Sequence, residues 1–110
     1  MKKFMVVYRM DMAAANKMMT ENPELAKKGM EDWGIWMKKH EADFADAGAP
    51  LGKNTQMSAT GSVEMSNDLA GYSILQAESK EAALAVLADN PHFQMSGATA
   101  DVMEVVAMPM

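Results

Sequence analysis

With 110 residues and 12.0 kDa the chain has the size of one compact domain spanning residues 1–110, too short for two separate cores. Ten Lys and Arg against fifteen Asp and Glu leave a net charge of −5, which argues against nucleic acid and against an anionic membrane surface as partners. With no cysteine there is no disulfide, thiolate zinc site, iron–sulfur cluster or cysteine nucleophile, and a cytoplasmic location is the expectation.

Leu, Ile, Val and Phe together number only 18 of 110 residues, a level close to that of disordered chains. Fourteen Met and eighteen Ala supply the missing apolar mass, so the positions of the methionines decide between a packed domain and a sticky tail. Met5, Met30, Met37, Met103 and Met108 fall on predicted helix or strand faces that need covering. That placement predicts a folded core, loosely specified because thioethers adapt to irregular neighbours.

Residues 3–10, with Phe4, Met5, Val6, Val7 and Tyr8 between charged ends, read as a strand apolar on both faces. The run is too short for a signal peptide or a membrane span. Residues 11–22 show no clear period, although Met12, Met18 and Met19 allow a short helix. Asn22-Pro23 is a helix start, with Asn as cap, Pro at the first position and Glu24 in the first turn. Bulky residues then recur at Met30, Trp33, Met37, Phe44 and Ala47, and Gly48 with Pro50 supplies a stop. The spacing predicts one helix over residues 23–47, about 37 Å long at ~1.5 Å per residue.

An irregular strand is expected at residues 56–64 and a stronger one, LAGYSILQA, at residues 69–77. Ser79 caps a second helix running through Asp89 to the Asn90-Pro91 break. The last strand covers residues 101–108. The order is βαββαβ, an α+β, ferredoxin-like fold with a four-stranded antiparallel sheet and two helices on one face. Because the first and last strands are apolar on both sides, the second sheet face also needs a cover. A second copy is the simplest one, giving a homodimer through sheet faces.

Trp33-Gly34-Ile35-Trp36-Met37, Ala47-Gly48-Ala49-Pro50-Leu51-Gly52, Gly71-Tyr72-Ser73-Ile74, Asn90-Pro91-His92-Phe93 and Val102-Met103-Glu104-Val105 stand in an order that resembles the YCII-related proteins, near their DGPF-type branch. The resemblance covers residues ~30–108 as a single domain. It implies a dimeric α/β barrel with a cleft between the sheet and the first helix. Some relatives carry a His–Asp pair in that cleft, the His following a Pro at the start of the first helix. Here Glu24 and Leu25 follow Pro23, so that His is absent, and Asp46 is the counterpart of the acid. The DGPF tetrapeptide is absent too, its place taken by Ser66-Asn67-Asp68-Leu69.

His92, on a loop, and His40, on the helix face between Trp36 and Phe44, are the catalytic candidates, as general bases or ligand-orienting groups. A turn-holding role is the alternative for each. Trp36 and Tyr72 are candidate walls for a flat ligand. Arg9, the only arginine, is a candidate carboxylate clamp, with a salt bridge to an acid as the plainer role. Glu104 requires a partner if it faces a dimer interior. No metal and no cofactor are expected: the two histidines lack paired spacing, and neither a dinucleotide loop nor a phosphate loop is present. Two readings follow. The first is a small-metabolite binder with Trp36, His40, Tyr72 and His92 lining a cleft, extending to a cofactor-free lyase or isomerase that uses histidine. The second is a non-catalytic homodimeric binding or accessory module with structural histidines.

Overall fold

A computed structural model describes residues 1–108; Pro109 and Met110, which close the predicted domain, lie outside the described residues. Strand β1 (Lys2–Arg9) alternates Phe4, Val6 and Tyr8 inward with Met5 and Val7 outward. It leads to α1 (Met12–Glu21), which starts where Asp11 Oδ1 accepts the Ala13 and Ala14 amides. Helix α2 (Pro23–Lys39) follows at once, with Pro23 in its first turn. Asn22 caps it through backbone only: its carbonyl accepts the Leu25 and Ala26 amides, and its side chain takes no part.

The predicted long helix stops eight residues early. A single 3-10 turn at Glu41–Asp43 intervenes, and residues expected to be helical form strand β2 (Phe44–Pro50). Charge explains the stop. A helix reaching Ala47 would place Glu41, Asp43 and Asp46 against its own negative end, whereas ending at Lys39 places Lys38 and Lys39 there. The segment expected to supply the second sheet strand instead makes a separate hairpin, β3 (Thr55–Ser58) and β4 (Gly61–Glu64). Strand β5 (Leu69–Ala77) and helix α3 (Lys80–Leu87) match expectation, with Ser79 Oγ accepting the Ala82 amide. After a 3-10 turn at Pro91–Gln94, strand β6 (Thr99–Glu104) ends four residues before the predicted limit.

The main sheet is antiparallel with order β2-β5-β1-β6, the ferredoxin-like order for four strands taken in sequence. On one face Phe4, Val6, Tyr8, Ser73 and Leu75 are buried beneath Trp36 of α2 and Ala83 and Leu87 of α3. On the other face β1, β5 and β6 present Met5, Val7, Tyr72, Ile74 and Met103, with no helix or strand among the described residues over them. None of the methionines among the described residues is fully buried; Met37 packs against the core as expected, whereas Met30 and Met108 are well exposed.

Strand β2 is an edge strand bent by two irregularities in its pairing with β5. Gly48 sits in one of them at φ +83°, where a Cβ would lie 1.6 Å from the Tyr72 carbonyl oxygen. Asp46 Oδ1 accepts the Gly48 amide at 2.8 Å and holds the bend. Gly48 is therefore a bulge residue rather than a helix stop. Gly48→Ala is expected to cost more than about 2 kcal/mol in urea denaturation. Gly34→Ala, in α2 with open space around it, should instead stabilise by about 0.5–1 kcal/mol.

Candidate functional site

The interval between the sheet and α2, where a cleft was expected, is filled by rings. Tyr8, Trp33, Trp36 and Phe44 form a chain of edge-to-face contacts with centroids 5.1 to 5.6 Å apart, and His92 continues it from Tyr8 at 5.3 Å. Trp36, His40, Tyr72 and His92 consequently do not line one cleft. Tyr72 lies on the opposite sheet face, and the other three are parts of the packed side.

His92 is buried, and its Nε2 lies 3.0 Å from the Arg9 carbonyl and 2.9 Å from the Thr99 carbonyl. Both partners only accept, so Nε2 carries the proton and donates to both. The ring ties the end of β1 to the start of β6, while Asn90 Oδ1 accepts the His92 amide at 2.7 Å. This is the turn-holding alternative for His92. Nearby, the Tyr8 hydroxyl donates to Ser73 Oγ at 3.1 Å, which in turn donates to the Ala47 carbonyl at 3.0 Å. Burial pushes the Tyr8 phenol above its ordinary value, partly offset by the Ser73 hydrogen bond.

His40 caps the end of α2 between two carboxylates, with Nδ1 3.2 Å from Asp43 and Nε2 3.2 Å from Asp89. Asp89 is the centre of this cluster. Its Oδ1 also accepts from Trp36 Nε1 at 3.1 Å, and its Oδ2 pairs with Lys39. The Lys39 hydrogen bond, followed by those from His40 and Trp36, holds the Asp89 carboxyl down to about 2. A shallow groove of about 250 Å³ lies alongside, lined by Ile35, Trp36, Lys39, Asp89, Pro91 and Gln94 together with Asp32. Among the described residues no group of three or more His, Cys, Asp or Glu is arranged to hold a metal ion.

Asp89 escaped the sequence reading, though a cue was present: an acid at the C-terminal end of α3 opposes the helix dipole and so needs a specific partner. Arg9 is fully engaged. Nε and Nη2 donate to the two oxygens of Asp68 at 3.1 and 3.0 Å, and Nη1 donates to Asp101 at 3.0 Å. Hydrogen bonding to Asp68 and Asp101 raises the Arg9 guanidinium further, and the same bonds lower Asp68. The salt-bridge role thus holds in place of a free clamp. Glu104 shares a face with Val102 at the outer edge of the packed side, away from the open face, and pairs with Lys2 at 3.3 Å. Of the predicted binding residues, Arg9, Tyr72 and Asp46 are on the open face, and Tyr72 and Asp46 meet there, the Tyr72 hydroxyl 3.4 Å from Asp46 Oδ2.

No family model matches the chain, and no curated protein matches it in sequence. Among solved structures, it is similar to 5-chloro-2-hydroxyhydroquinone dehydrochlorinase from Burkholderia phenoliruptrix, determined in complex with 2,5-dihydroxybenzoquinone. The TM-score is 0.52 at 12% identity, over 90% of each chain. The likeness runs nearly end to end, so the two chains share a fold. Among the described residues no helix is long and apolar enough to cross a membrane.

A carboxyl whose folded value lies below its unfolded value stabilises the fold above the unfolded value and loses that contribution as pH falls. For Asp89 the window runs from about 4 down to about 2. Asp89→Asn is expected to lower the thermal midpoint at pH 7 and to flatten its pH dependence across that window. Thermal unfolding followed from pH 7 to pH 2 checks both. His92→Ala should cost about 2–4 kcal/mol in urea, since it leaves two carbonyls without their donor.

Proposed function

We propose that the chain is a YCII-related, cytoplasmic binding protein that pairs with a second copy through its open sheet face and takes a small, flat, hydroxylated molecule beside Tyr72 and Asp46, with both histidines structural. The observation that carries this reading is the uncovered apolar face of Met5, Val7, Tyr72, Ile74 and Met103. A sheet packed on one side only leaves too much surface. The chain exposes 7894 Å², against about 6,000 Å² for a folded monomer of its mass. The excess exceeds the ~800 Å² that each partner contributes to a standard interface. Lys3 and Asp46 place both signs of charge on this face, as a self-complementary pairing requires.

The ligand class follows from the same face. Met5, Val7 and Ile74 offer apolar area for a flat ring, and the Tyr72 hydroxyl and Asp46 carboxylate offer a donor and an acceptor at its edge. Asp46 is held in place by the Gly48 amide. The quinone complex of the structurally similar dehydrochlorinase supports a small hydroxylated ring as the first probe.

A second reading, a histidine-dependent lyase or isomerase, draws on the His40–Asp89 contact beside the groove at Trp36 and Lys39. The two readings separate by mutation. On the first, sedimentation equilibrium gives twice the 12.0 kDa chain mass, and Ile74→Lys gives a folded monomer. Titration calorimetry with 2,5-dihydroxybenzoquinone then shows binding that Tyr72→Phe and Asp46→Asn each weaken by about 3- to 10-fold, and that His40→Gln leaves unchanged. A monomeric wild type, or binding lost with His40→Gln and kept in both open-face variants, overturns it.

A further inference from the structure

The hairpin formed by β3 and β4 is the part of the molecule that its own chain does least to support. Its two strands pair only with each other, Thr55 opposite Glu64 and Met57 opposite Ser62, and every residue from 55 to 64 is exposed. A lone two-stranded hairpin is marginal in water. Met57 stands 84% exposed on one side and Val63 61% on the other.

Composition separates this hairpin from an ordinary solvent loop. Of residues 55–64 only Glu64, at the base, is charged, in a chain of which 23% is charged. Exposed strand edges are normally protected by charge or proline, and depletion of charge marks the buried part of an interface. The molecule as a whole is extended, with a radius of gyration of 15.6 Å against about 13 Å for a compact chain of this length. The hairpin leaves the sheet at the edge of the open face: Pro50 pairs with Gly71, the Leu51 amide bonds the Ala70 carbonyl, and the Met65 amide bonds the Asn54 carbonyl at the hairpin's base.

We propose that the hairpin is an intersubunit arm that lies on the second copy of this chain and buries its Met57 face there. The inference rests on the homodimer reading above. A second copy is favoured over a different protein because the arm starts at the border of the face already assigned to self-pairing, and one continuous interface uses both. An arm with one charge, Glu64 at its base, also suits a partner of net charge −5, which would repel a strongly acidic one.

The base of the arm makes the test clean. Asn54 and Met65 are already hydrogen-bonded, so residues 55–64 can be replaced by an Asn-Gly turn without moving the sheet. Sedimentation equilibrium is expected to show a dimer about tenfold or more weaker for this variant, with an unchanged circular dichroism spectrum. Met57→Lys, which keeps the full length, should weaken it in the same direction, whereas Val63→Lys, on the opposite face of the hairpin, should not. Hydrogen exchange at the arm amides should slow as the full chain is concentrated from monomer to dimer. A dimer of unchanged strength in both the shortened chain and Met57→Lys overturns the arm and leaves the homodimer reading standing. A full chain that stays monomeric overturns both. Arm amides that stay fast in the dimer but slow on adding a different protein reassign the arm to that partner and overturn this proposal.

Discussion

The register between β1 and β5 is the constraint on which the rest of this molecule depends. It sets Phe4 opposite Leu75 and Val6 opposite Ser73 on one face, and Met5 opposite Ile74 and Val7 opposite Tyr72 on the other. A slip of one residue would exchange the two sets and expose the core. The bond from the Tyr8 hydroxyl to Ser73 Oγ opposes such a slip, because it joins diagonal neighbours across the two strands where no water competes. With the register held, everything on the helical side follows: Trp33 and Trp36 stack toward Tyr8, and α3 closes over Leu75 with Ala83 and Leu87.

The polar groups then fall in two clusters, which fasten the elements that the register brings together. In one, Arg9 ties β1 to Asp68, ahead of β5, and to Asp101 of β6, while His92 bonds the adjacent carbonyls. In the other, Asp89 draws the end of α3 onto the last turn of α2 through Trp36, Lys39 and His40. Exposed ion pairs alone contribute little. The buried carbonyl partners of His92 and the indole donor of Trp36 fix geometry more firmly, because leaving them unpaired carries a desolvation cost. Histidines used in this way hold the chain. They are poorly placed to exchange protons with a ligand on the opposite face.

Sequence patterns carried the strands with strong alternation and the helices with caps. Residues 69–77 and the Ser79 cap emerge as expected because each is decided locally, by β-branched or aromatic residues and by one side-chain acceptor. The helix predicted to reach Ala47 failed for a reason its apolar spacing does not report. Phe44 fits a helical stripe and a half-buried strand equally well, and the acids at 41, 43 and 46 tip the balance toward the strand. That shift moved Asp46 from a helix end to a bulge beside Tyr72, where it becomes part of the open face. The candidate site was legible only in pieces. The individual residues were visible, but which of them share a face depends on strand parity, and the parity of β2 is set by bulges that spacing does not disclose.

The methionine content acquires a different meaning from this arrangement. Phe4, Val6, Tyr8, Trp36, Leu75 and Leu87 occupy the interior, while Met5 and Met103 sit side by side on the open face and Met57 stands on the hairpin. A core padded with methionine would specify its packing weakly, but this core contains none among its buried residues. Met37 packs on the core, whereas these thioethers lie on exposed or half-exposed surface. An unbranched, polarizable side chain conforms to an irregular neighbour at less steric cost than a β-branched one. A face built partly from methionine can therefore close against an identical face and still accommodate a ring between them, because its side chains can repack around the ring while the register beneath them stays fixed.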